Sequence, residues 1–139
     1  MSNPDSAMQQ YRNVQRHGAV PEASPHQLIA MLFNGALDNL AAARGAIERS
    51  DVQTKGEKLG RAIAIIDNLR AALDMDAGGG IAENLRNLYD YMETRLLRAN
   101  VDSDPVAVDE VVELIRQIKS GWDGIAVQPE VKTETAGQV

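Results

Sequence analysis

The sequence predicts an all-α protein that folds as an antiparallel, up-down four-helix bundle. Apolar residues recur at spacings of three and four in four consecutive segments, as helices with one buried face require. Short stretches of polar residues, glycine or proline separate these segments. Four helices of roughly 20 residues with short connections pack beside their chain neighbours in opposite directions, which gives the up-down topology.

The first helix is predicted from residue 24 to about residue 48. Ser24 is a good N-cap, Pro25 suits the first helical position, and Gln27 completes a capping box. Asp51 follows the break in the apolar pattern and is expected to cap the second helix. The predicted buried face of the first helix comprises Ile29, Leu32, Phe33, Ala36, Leu37, Leu40, Ala43 and Ile47.

The other three helices follow from the same pattern. The second is predicted from Val52 to about Met75, and glycines 78–80 then form a turn. The third follows that turn, and Asp104 with Pro105 starts the fourth. The predicted buried residues are Leu59, Ala62, Ile63, Ile66, Leu69 and Leu73, then Ile81, Leu85, Leu88, Tyr89, Met92, Leu96 and Ala99, then Val108, Val111, Val112, Ile115, Ile118 and Trp122.

The ends of the chain differ from its centre. Residues 1–20 form a largely polar N-terminal segment, and residues 127–139 a tail of low hydrophobicity that is expected to be disordered. The bundle domain is predicted over residues 21–126. A chain of 139 residues has the length of one domain.

Charge and composition exclude several classes of function. The net charge of −6 and the pI near 4.8 argue against nucleic acid as a partner, because phosphate binding needs a basic surface. No apolar run is long enough for a signal peptide or a membrane span, so no membrane insertion is expected. The absence of cysteine fits a reducing compartment, and the predicted location is the cytoplasm.

No motif predicts catalysis, a metal or a cofactor. His17 and His26 are the two histidines, and neither belongs to the Glu-x-x-His pair of metal-binding bundles. The glycines at 78–80 lack the basic residue of a phosphate-binding loop. One enzymatic alternative is a phosphorylatable histidine of two-component signalling, but His26 lies in the first helical turn without the Lys and Gly typical of such domains.

Several large apolar residues fall outside the predicted buried faces. On helical wheels these are Leu28, Met31, Ile65, Tyr91, Leu97 and Leu114. One interpretation is that wide apolar faces fill the corners of the bundle. The other is that these residues line grooves for partner helices, because helix-in-groove recognition needs apolar anchors outside the core of the host. A structural or regulatory bundle that self-associates through these flanks, as a weak homodimer, is a further alternative.

Four sequence stretches, in order, resemble one known family. They are "YRNVQ" at 11–15, "ASPHQLIAMLFNGAL" at 23–37, "LDMDAGGGIAENLRNLYDYM" at 73–92 and "RLLRAN" at 95–100. Together they resemble the flagellar export chaperone FliS family, over about residues 8 to 125. The resemblance implies a cytoplasmic, non-enzymatic chaperone without a cofactor. Its client would be flagellin, whose disordered C-terminal segment it binds so that flagellin does not polymerise. Its second partner would be a component of the flagellar type III export gate.

The helical wheels, combined with the client that the resemblance implies, suggest which residues bind. The residues predicted to line the flagellin-binding groove are Leu28, Met31, Ile65, Leu69, Tyr91 and Leu114. Met8, Tyr11 and Val14 have helical spacing in a segment too short to be stable alone. By resemblance they form a mobile lid over the client site, which flagellin displaces.

Overall fold

The computed structural model of the protein describes residues 24–126, which form four helices and no strand. We number them α1 (Pro25–Glu48), α2 (Val52–Ala71), α3 (Met75–Asp102) and α4 (Pro105–Ala126). Each packs against two others in the ring α1–α2–α3–α4, and α4 closes the ring on α1. The predicted four-helix bundle is therefore confirmed. The predicted lid residues Met8, Tyr11 and Val14 and the tail 127–139 lie outside the described residues.

The helix starts agree with the capping residues read from the sequence. The Ser24 hydroxyl accepts a hydrogen bond from the Gln27 backbone N–H at 3.2 Å, and the Gln27 side chain accepts one from the Ser24 N–H at 2.9 Å. Asp51 caps α2 by accepting from the Thr54 N–H at 3.1 Å. Asp104 does the same for α4, accepting from the Val106 N–H at 2.9 Å. These bonds satisfy backbone donors that the first turn leaves without partners.

The boundary between α2 and α3 differs from the prediction. α2 ends at Ala71, before the predicted end near Met75. The reason is a second cap: the Asp74 carboxylate accepts a hydrogen bond from the Ala77 N–H at 3.0 Å, so the chain restarts a helix before the glycines. The predicted turn occurs inside α3, where Gly79 has φ 54° and ψ −129° and kinks the helix.

Exchanging Gly79 for alanine tests this kink. We expect Gly79→Ala to lower the free energy of unfolding by about 1–2 kcal/mol, because a side chain is strained at this φ and ψ. Gly80 is the matched control, since a Cβ there meets nothing within 4 Å and its backbone is helical. Gly80→Ala should be neutral or stabilise by up to about 1 kcal/mol. Urea unfolding followed by circular dichroism measures both, and equal effects would contradict the assignment.

The core runs along the axis of the ring. Its largest fully buried side chains come from all four helices: Phe33, Leu40, Leu59, Ile66, Met92, Leu96, Val108, Val111 and Ile115. All of them belong to the predicted buried faces. Together they form one contiguous cluster, so the helices share a single core.

Ile81 is the exception among the predicted core residues, because its side chain is 74% exposed. The register of α2 against α3 explains this. Arg70 pairs with Asp90, and α2 ends one residue after Arg70. Ile81 precedes Asp90 by nine positions, or about 13 Å along the helix. α3 therefore extends past the end of α2, which leaves Ile81 uncovered, and the prediction that it belongs to the core is wrong.

Candidate functional site

The surface of the bundle has four seams, which we define as the lines along which neighbouring helices meet. The α1–α2 seam brings Ile65 against Gly35, where an added Cβ would lie 3.3 Å from the Ile65 Cδ1. Because Gly35 has no side chain, Ile65 sinks between the helices and is only 5% exposed. Leu28, two turns before Gly35 on the same face, is 2% exposed. The prediction that Leu28 and Ile65 lie outside the core is therefore wrong.

Met31 and Leu69 also occupy this half of the molecule. Met31 lies one turn before Gly35 and is 46% exposed, as the helical wheel predicted. Leu69 is 2% exposed and belongs to the core cluster. Of the four groove candidates on α1 and α2, Met31 alone presents an exposed side chain at the surface.

The α3–α4 seam carries the other two groove candidates. Tyr91 is 43% exposed, and its hydroxyl donates a hydrogen bond to the Glu110 carboxylate at 2.6 Å. The Arg95 Nε donates to the same carboxylate at 2.7 Å. The hydrogen bond from Tyr91 lowers the pKa of Glu110 and raises the pKa of Tyr91. Leu114, one turn after Glu110, is half-buried against the core.

The six groove candidates therefore do not form one groove. Met31 and Tyr91 are exposed on opposite sides of the ring, because the α1–α2 and α3–α4 seams face away from each other. A partner that contacted both would have to wrap around the bundle. An extended segment that folds on binding can do this, whereas a compact rigid partner cannot.

Exposed apolar side chains at one end of the bundle were not predicted from the sequence. Val52, Val101 and Val106 are 69%, 75% and 67% exposed and flank the α1–α2 and α3–α4 loops. Lys55 of α2 joins these parts of the chain, donating to the Asn100 carbonyl at 2.8 Å and to the Ser103 hydroxyl at 2.7 Å. The sequence did contain a signal for this surface, because the three valines lie beside predicted loops and outside the predicted buried faces of the helices.

A partly buried carboxyl group at the α2–α3 seam was also not predicted. The Glu93 side chain is 18% exposed, lies 3.9 Å from the Arg70 guanidinium, and has an Oε2 atom that is buried without a hydrogen-bond partner. Burial, reinforced by the neighbouring Asp67, raises the pKa of Glu93 to about 7. Arg70 also pairs with Asp67 at 2.5 Å and with Asp90, so its charge is shared among several carboxylates.

This environment predicts a pH-dependent stability. The pKa of Glu93 is about 7 in the folded chain against an ordinary 4.5, so the folded state binds the proton more tightly. The contribution of Glu93 to the stability of the fold is therefore complete below about pH 4.5, and it declines as the pH rises to about 7. We expect the free energy of unfolding of Glu93→Gln to exceed that of the wild type by about 1–2 kcal/mol at pH 8. This difference should vanish near pH 4.5.

Urea unfolding of the two proteins across this pH range measures the difference. Glu83→Gln is the control, because Glu83 is exposed on the same helix. A constant offset between Glu93→Gln and the wild type at all pH values would contradict the buried carboxyl group.

One end of the α1–α4 seam is closed by His26 and Trp122. Their rings stack at a centroid distance of 4.5 Å and an angle of 6°. The His26 Nε2 donates to the Trp122 carbonyl at 2.6 Å, and the Trp122 Nε1 donates to the His26 carbonyl at 2.9 Å. A carbonyl only accepts, so Nε2 carries a hydrogen. These contacts give His26 a structural role that joins the start of α1 to the end of α4.

Within 24–126, no helix combines the length and the hydropathy needed to cross a bilayer. The same range holds no cluster of three or more His, Asp or Glu side chains arranged to bind a metal ion.

The fold and its surface define a class of protein: a small helical bundle with a complete core and apolar side chains left at its seams. The sequence profile described as "Flagellar protein FliS" matches residues 7–129. The chain belongs to this family of flagellar secretion chaperones.

Curated relatives match over nearly their whole length. The flagellar secretion chaperone FliSB of Pseudomonas aeruginosa is 49% identical over 120 residues, which cover 86% of this chain and 95% of the relative. FliS of Salmonella typhimurium is 50% identical over 122 residues, covering 87% and 90%. FliS of Vibrio cholerae is 41% identical over 133 residues, covering 96% of each chain.

Proposed function

We propose that this protein is a cytoplasmic export chaperone that binds the C-terminal segment of flagellin. In this proposal it prevents premature polymerisation of flagellin and helps deliver it to the flagellar type III export gate. Membership of the FliS family supports a chaperone role in flagellar secretion. The observation that carries the proposal is that Met31 and Tyr91 stay exposed although the core is complete without them.

The physical task suits a wrapping client. Apolar anchors at two opposite seams favour a long amphipathic segment over a compact partner. Folding such a segment onto the bundle costs on the order of 2–5 kcal/mol of the gross interaction energy. This cost keeps a large interface releasable, which a chaperone that must hand over its client requires.

Calorimetric titration with a peptide covering the last roughly 50 residues of the organism's own flagellin tests the proposal. We expect one-to-one binding with a negative heat capacity change and a gain of helix by circular dichroism. A folded chaperone that produces no binding heat and no helix gain would overturn it.

Tyr91 allows a sharper test of the α3–α4 seam. Tyr91→Ala should weaken binding about tenfold or more, because it removes an exposed aromatic anchor. Tyr91→Phe keeps the ring and loses only the hydrogen bond to Glu110, so it should bind within about threefold of the wild type. If the two variants bind alike, the ring is not an anchor.

Self-association is a second candidate, supported by a different surface. Val52, Val101 and Val106 are each exposed beside the loops at the same end of the bundle, where a second copy can cover them. Sedimentation equilibrium of the wild type and of Val101→Asp measures this. Concentration-dependent dimerisation that the aspartate abolishes would support it, and a monomer at all concentrations would exclude it.

A further inference from the structure

The α1–α4 seam holds a cavity between two cross-helix contacts. At one end the Arg44 Nε donates to the Asp109 Oδ1 at 2.9 Å, and at the other the rings of His26 and Trp122 stack. The cavity between them has a volume of about 380 Å³. It is lined by Asn34, Leu37, Arg116, Lys119, Ser120 and Asp123.

The charges at this cavity are not balanced. Three other arginines of the bundle pair with carboxylates across seams: Arg44 with Asp109, Arg70 with Asp90 and Arg95 with Glu110. Arg116 also faces a seam, but among residues 24–126 it makes no ion pair and no hydrogen bond.

Lys119 is bound to Asp123 at 2.6 Å, so the cavity wall carries two cations and one carboxylate. This positive excess occurs on a chain whose net charge is −6.

The remaining wall residues complement a carboxylate on a short apolar stem. The Asn34 amide and the Ser120 hydroxyl are hydrogen-bond donors, and Leu37 provides a half-buried apolar side. An arginine can bind a carboxylate through two parallel hydrogen bonds. The volume lies at the lower end of the range of ligand pockets in proteins, which leaves room for one side chain.

We propose that this cavity is a subsite for an Asp or Glu side chain of the flagellar client, whose carboxylate pairs with Arg116. The inference rests on the proposed chaperone function and adds a charged anchor to its apolar ones. Asp123 is the one lining residue of like charge, and Lys119 already neutralises it. The incoming carboxylate therefore binds on the Arg116 side of the cavity.

Two variants test the subsite by titration with the same flagellin peptide. Arg116→Glu should weaken binding about tenfold or more, because it replaces attraction by repulsion. Asn34→Asp keeps the side-chain shape and adds a carboxylate to the wall of the cavity that Arg116 also lines, so it should weaken binding about threefold to tenfold. Both losses should shrink at about 0.3 M salt, where exposed charges are screened.

Matched controls separate this effect from net charge. Arg98→Glu makes the same change of net charge as Arg116→Glu, at an exposed residue of α3. Asn68→Asp makes the same change as Asn34→Asp, at an exposed residue of α2. Both should bind within about twofold of the wild type. Thermal unfolding verifies that each variant is folded.

The outcomes distinguish this inference from the proposed function. If the wild type binds the peptide and both cavity variants bind equally well, the subsite is wrong and the chaperone proposal stands. If the wild type does not bind, both fail.

A charge swap identifies the occupant. Replacing one acidic residue of the peptide by lysine should weaken binding to the wild type and restore binding to Arg116→Glu. If no such residue exists, the assignment of the subsite is wrong.

The tail of this chain also carries two acidic residues, Glu130 and Glu134. If changing both to Gln raises peptide affinity about tenfold in the wild type but not in Arg116→Glu, the tail is the occupant and the proposal is overturned.

Discussion

Replacing Leu69 by alanine is expected to lower the free energy of unfolding by about 2–4 kcal/mol. The Leu69 side chain is 2% exposed and packs within the single core cluster, so its removal leaves a cavity that the close-packed bundle only partly fills. Because Leu69 was also a groove candidate, this substitution separates a core role from a binding role.

Urea unfolding followed by circular dichroism measures the loss, and titration with the flagellin peptide under conditions where the variant stays folded measures affinity. Leu97→Ala is the control, because Leu97 is 58% exposed and its truncation should cost under about 0.5 kcal/mol. If Leu69→Ala loses little stability but much of its affinity for the peptide, Leu69 acts as a groove residue and not as a core residue.

The distinction between core and groove was only partly predictable from the sequence. Helical wheels correctly left Met31, Tyr91 and Leu97 outside the core, and each is exposed. They failed for Leu28 and Ile65, which are buried. A wheel gives the direction of a side chain from its own axis, whereas burial depends on what the neighbouring helix presents there. For Ile65 that neighbour is Gly35, and the pairing follows from the register of α1 against α2.

Local signals were more reliable than signals that depend on neighbours. Caps and turns involve residues a few positions apart, so Ser24, Asp51 and Asp104 marked the helix starts correctly. The exposure of Ile81 could not be read in this way, because it depends on where α2 ends relative to α3.

The charged sites required the structure for the same reason. Arg70 and Asp90 are 20 positions apart, and Arg95 and Glu110 are 15 apart, so the sequence gives no reason to pair these residues. The unpaired state of Arg116 within the described range becomes visible only once its neighbours across the α1–α4 seam are known. The partial burial of Glu93 and its raised pKa likewise depend on the packing of α2 against α3.

Lys55→Met should lower the free energy of unfolding by about 2–3 kcal/mol, although methionine preserves most of the volume of the side chain. Lys55 is 6% exposed, and its ammonium group donates to the Asn100 carbonyl at 2.8 Å and to the Ser103 hydroxyl at 2.7 Å. The Asn100 carbonyl lies in the last turn of α3, where helix geometry leaves it without an intrahelical donor. Ser103 has φ 52°, and Lys55 binds its side chain in this left-handed conformation.

Lys58→Met is the matched control for this substitution, since Lys58 is half-buried on the same helix and should change stability by under about 0.5 kcal/mol. Hydrogen exchange provides a second measurement that a general loss of packing would not reproduce. In Lys55→Met the amides of Ser103 and Asp104, which bond to the Ala99 carbonyl, should exchange faster than those in the centre of α3. Uniform acceleration along α3, or a stability loss equal to that of Lys58→Met, would mean that Lys55 does not hold the α3–α4 loop.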